Sequence, residues 1–86
     1  MTSTFRNIHT PDTAKGKYAV LRQWNSYGGD FLHNFDDIWG ASFTGVGGAM
    51  TFDSKDEAVC AAIRAKKSVP VSMCGVAFVY DAVILV

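Results

Sequence analysis

From Val76 to Val86 the chain is apolar at every position but one, Asp81. β-Branched and aromatic side chains dominate this run, and such residues suit an extended, pleated backbone. Alternation places Val76, Phe78, Tyr80, Ala82, Ile84 and Val86 on one face and Ala77, Val79, Val83 and Leu85 on the other. Both faces are apolar, so the pattern predicts a core strand that needs cover on two sides. Eleven residues with a carboxylate in the middle are too few to cross a membrane as a helix.

Other stretches show clear periods. Lys17–Trp24 alternates as a strand, with Tyr18, Val20, Arg22 and Trp24 on one side and Ala19, Leu21 and Gln23 on the other. Asn25-Ser-Tyr-Gly-Gly29 reads as a turn. In Asp30–Gly40 the apolar residues fall at 31, 32, 35, 38 and 39, which is the spacing of one helical face. The pattern therefore predicts a short helix over 31–39, capped by Asp30 and ended by a left-handed Gly40. An extended, aromatic-rich segment is the rival reading.

Ser42–Phe52 reads as an extended or hairpin stretch that turns near Gly45–Gly48. Ser54-Lys-Asp-Glu57 fits a capping box, acidic residues follow in the first turn, and Arg64, Lys66 and Lys67 close the last. A helix over 54–67 follows, with Ala58, Val59, Ala62 and Ile63 as its expected buried stripe. Val69–Met73 reads as a short strand, which Pro70, lacking a donor, confines to an edge or a strand start. Residues 1–16 are polar apart from Phe5 and Ile8, and read as a loose arm.

At 86 residues, 49% apolar, the chain has the material for one domain (1–86) with a modest core. Eight basic residues balance eight acidic ones, which removes the warrant for direct nucleic-acid binding. The first residues carry no apolar targeting run, and two cysteines are too few for a disulfide framework. A soluble cytoplasmic protein with reduced thiols, and no membrane contact, is the expectation.

The candidate chemistry is thin. Gly45-Val-Gly-Gly48 lacks the Lys and Ser/Thr of a phosphate loop, since Ala49 and Met50 follow. His33 with Asp36 or Asp37, and His9, falls short of the three or four ligands a stable metal site needs. Cys74 with His33 is the one nucleophile–base pairing available, and no cation beside Cys74 lowers its pKa. Cys60 is expected to pack as a small hydrophobe. Neither a catalytic group nor a cofactor or metal is expected.

Tyr27, Phe31, Phe35, Trp39 and Phe43 recur every four residues, among Asp30, Asp36 and Asp37. Core packing is one reading of these aromatics. The other is a partner-binding patch of Tyr27, Asp30, Phe35, Asp36, Asp37 and Trp39, because aromatics beside charges mark interface hot spots. The expected fold is α+β: a small antiparallel or mixed sheet on residues 76–86, covered by helix 54–67. Helix 31–39 or a homodimer partner would supply the second cover.

In size, short arm, few strands and a helix introduced by Phe52-Asp-Ser-Lys-Asp-Glu57, the chain resembles the small phage or mobile-element inhibitors of bacterial defence, such as anti-CRISPR proteins. The resemblance implies a non-enzymatic inhibitor that sterically blocks a larger protein or nucleoprotein complex, with acidic residues meeting basic ones. A homo-oligomeric accessory subunit paired through its terminal strand is the alternative, and a small enzyme using Cys74 and His33 a second.

Overall fold

The computed structural model describes residues 3–23, 28–36, 38, 40–68 and 78–86. Among them, five strands form one mixed sheet: β1 (Ser3–Phe5), β2 (Tyr18–Gln23), β3 (Gly29–Asp36), β4 (Gly40–Thr44) and β5 (Val79–Leu85). Their order is β1-β5-β2-β3-β4, with β1 parallel to β5 and the other neighbours antiparallel. One helix, α1 (Lys55–Lys67), lies on one face, and short 3-10 turns occur at Asp12–Ala14 and Val46–Gly48. The fold is α+β, as the alternation and the capping box predict.

β5 sits inside the sheet, and its two apolar faces explain why. Tyr80 packs toward the helix-side core with Val20, Leu32, Ala61, Ala62 and Ala65, while Val83 and Leu85 join Ala19, Leu21 and Phe31 on the opposite side. The end of β5 is stitched in place by Leu85 N–H to the Lys17 carbonyl at 2.8 Å, Gly16 N–H to the Leu85 carbonyl at 2.7 Å, and Val86 N–H to the Phe5 carbonyl at 3.0 Å. Because β1 and β2 flank Val83–Leu85, this end of the terminal strand is not a free edge for pairing with a second copy.

The N-terminal segment is not a loose arm over its described part. β1 pairs with β5, the Asp12–Ala14 turn buries Ala14, and Phe5 packs on the core, whereas Ile8 is 94% exposed. This segment and the Val46–Gly48 turn, which inserts Val46, supply the second cover of the sheet.

The predicted helix over 31–39 is a strand, and a β-bulge accounts for the misreading. Leu32 pairs with Phe43 and Asn34 with Ser42, so His33 is an extra residue in β3. The bulge resets the alternation by one position. Phe31 faces the core opposite the helix, while Leu32 and then Phe35 both pack on the helix side. Apolar residues at 31, 32 and 35 thus imitate a helical face. Gly40 does take the expected left-handed conformation, φ +78°, but within a strand hairpin. Ser42–Phe52 is not a hairpin of its own: β4 pairs with β3, and Phe52 bridges to Tyr18.

α1 begins as predicted, with Ser54 Oγ accepting the Glu57 N–H at 3.2 Å. Its buried stripe keeps Ala58 and Ala62 of the expected four but replaces the other two. Ala58, Ala61, Ala62 and Ala65 face the sheet, while Val59 and Ile63 (52% exposed) turn outward. Alanines lack bulk, so they let the helix approach β5 and β2 closely. Cys60 is exposed rather than packed. The expected strand Val69–Met73, and Cys74, lie outside the described residues.

Candidate functional site

The β2–β3 and β3–β4 pairings decide what the acidic and aromatic residues of the middle segment can do. Arg22 and Asp30 are register partners across β2 and β3. Arg22 Nε donates to Asp30 Oδ1 at 2.8 Å and Nη2 to Oδ2 at 2.6 Å. Only about a fifth of each side chain is exposed, 19% and 22%. The guanidinium lies 3.8 Å from the Phe43 ring centre and 4.9 Å from that of Phe78. This two-point geometry, stacked on aromatic rings, is the arrangement arginine favours in partly buried pairs. Asp30 is therefore committed inside the molecule and does not belong to an acidic outer patch.

Tyr80 completes this cluster, 6.2 Å from both Phe43 and Phe78 between ring centres. Its hydroxyl is buried without a hydrogen-bond partner. Burial pushes the phenol above its ordinary value of 10.0, Arg22 pulls it back, and Asp30 adds a smaller upward push.

The other predicted acidic position stands in a different setting. Asp36 is exposed at the end of β3, and its Oδ1 accepts the Ile38 N–H at 2.7 Å, a local turn bond. Ile38 is 82% exposed. Gly40 re-enters the sheet opposite Asp36, and a Cβ placed on it would lie 3.1 Å from the Ser68 carbonyl oxygen at the end of α1. Phe35 is half-buried, with the Arg64 guanidinium 4.1 Å from its ring centre. Gly40 and Phe35 thus lie beside the last turn of α1, while Asp36 and Ile38 are exposed to solvent. Tyr27, Asp37 and Trp39 lie outside the described residues.

The groups considered for catalysis do structural work where they are described. His33 Nδ1 lies 2.7 Å from the Gly48 carbonyl, so the bulged histidine donates to the turn that carries Val46. Thr44 Cγ2 lies 2.8 Å from where a Cβ on Gly48 would stand, so a side chain there would collide. Among the described residues, no three of His, Cys, Asp and Glu come together as a metal site, and no helix is long and apolar enough to cross a membrane.

Comparison with protein-family models, with curated proteins and with solved structures found no match for this chain.

Proposed function

We propose that the protein is a non-enzymatic binding module that docks on a larger protein through the tip of the β3–β4 hairpin. A lone exposed isoleucine is ordinary on a protein surface. Its setting gives this one its weight: Ile38 stands 82% exposed, and the exposed Asp36 carboxylate beside it accepts its backbone N–H. An exposed apolar side chain gains by burial on docking, and neighbouring carboxylates steer it toward basic surfaces. Asp37 and Trp39 flank Ile38 in the chain and extend the same composition.

In the sharper form, suggested by the small defence inhibitors, the module occupies a basic surface of a nuclease complex and sterically blocks nucleic-acid or subunit docking in the cytoplasm. The assignment of His33 and Asp30 to internal bonds favours binding over catalysis. The test is capture from host extract by the wild-type protein and by an Asp36→Lys/Asp37→Lys variant. A partner held by the wild type and released by the variant, at equal melting temperature, supports the reading. Equal retention refutes it.

A further inference from the structure

We propose that the outward stripe of α1 is a self-association surface, on which a second copy of this chain packs its own α1 antiparallel across a two-fold axis. The surface is separate from the β3–β4 tip and does not depend on it.

The stripe consists of Asp56, Val59, Ile63 and Lys66, all exposed. They follow one another at intervals of three, four and three residues, the a/d spacing of a two-helix seam. On a helix of about 3.6 residues per turn these four share one side, away from the alanines that face the sheet. Scattered apolar side chains are ordinary on a surface. Here Val59, 37% exposed, and Ile63, 52% exposed, stand together on successive turns between charges of opposite sign.

Symmetry identifies the occupant. Asp56 and Lys66 lie equally far from Ala61 along the helix, and so do Val59 and Ile63. A two-fold axis at the level of Ala61 therefore brings Asp56 opposite Lys66 of the second copy, and Val59 opposite its Ile63. Each contact is made twice, as a closed isologous interface requires. A parallel alignment would set Asp56 against Asp56 and Lys66 against Lys66, so the charges select the antiparallel one. Neither charge is engaged within the chain: among the described residues, Asp56 and Lys66 enter no ion pair. Lys55 and Lys67 flank the stripe on opposite sides and do not meet across the axis. Arg64 is turned away from the seam, toward Phe35.

Beside the stripe, α1 and β5 enclose a hollow of about 290 Å³, bordered by Val59, Ile63 and Lys66 and by Tyr80, Asp81 and Ala82. It leaves room for the second helix to settle toward the sheet. Size sets the strength. α1 has 13 residues and is about 20 Å long, so the seam buries less than the roughly 800 Å² per partner of a standard interface. The dimer is therefore a weak one, forming at about 0.1 mM and above.

Sedimentation equilibrium at low salt, from about 10 μM to 1 mM, reads the association. The wild type should pass from monomer to dimer across that range. Asp56→Lys and Lys66→Asp each place like charges at both ends of the seam and should raise the dissociation constant about tenfold or more. Mixed in equal amounts, the two variants regain opposite charges at both ends and should associate with each other at near wild-type strength, a recovery that mere damage to the helix would not give. Ile63→Ser leaves both helix ends intact and should weaken the dimer at unchanged melting temperature. A wild type still monomeric at about 1 mM, unaltered association of the folded single variants, or no recovery in the mixture would each overturn the assignment.

Discussion

Arg22 and Asp30 face each other across β2 and β3 and close a two-point ion pair at 2.8 and 2.6 Å, under the ring of Phe43. The pair sets the register of the hairpin and takes Asp30 out of the set of surface acids. Removing one partner leaves a charge in a site about four-fifths shielded from water. Asp30→Asn keeps the shape and loses the ionic bond, so it should lower stability by about 1–3 kcal/mol in urea unfolding. An unchanged midpoint would mean that the pair only decorates the surface.

Gly40 combines a left-handed backbone with a close approach to Ser68. Gly40→Ala meets both penalties, conformational and steric. A loss of about 1–2 kcal/mol is expected, read as a lower melting temperature. Gly45, which has open space around its Cβ position and no positive φ, is the control and should tolerate alanine.

Tyr80 carries a buried hydroxyl with no hydrogen-bond partner of good geometry, and Arg22 acts on it as a charge and at most a weak donor. Tyr80→Phe should leave stability unchanged at neutral pH or raise it by up to about 1 kcal/mol. The sign of the pH dependence follows from the raised phenol. The neutral form is favoured in the folded state, so its contribution is full below the ordinary value of 10.0 and is lost as pH rises through the folded value. Wild-type stability should therefore fall above pH 10 more steeply than that of Tyr80→Phe, as melting curves at stepped alkaline pH will register.

These residues also mark how far the chain could be read without coordinates. The terminal strand and α1 were legible because their signals are local: two apolar faces in one run, a serine three residues before a glutamate, basic residues at the helix end. β3 was not, because a bulge at His33 converts strand alternation into an imitation of helical spacing. The stripe of α1 was half right, at Ala58 and Ala62, and the other half missed for a physical reason. Reading by size favours Val59 and Ile63, while close helix–sheet packing favours the alanines at 58, 61, 62 and 65.

For the candidate site, Asp36 was placed outside by composition and is exposed. Asp30 looked the same in the sequence, but its fate depends on Arg22, eight residues away and adjacent only once strand register is known. Phe35 belongs half to the core, under Arg64, and that contact too arises from tertiary packing.

The central functional claim rests on Ile38 as the apolar contact of the β3–β4 tip, and the dissociation constant of the captured partner tests it most directly. Ile38→Ser touches no buried contact, so its melting temperature should match the wild type. Loss of a central apolar anchor should weaken binding by about tenfold or more. A dissociation constant equal to that of the wild type would contradict the account.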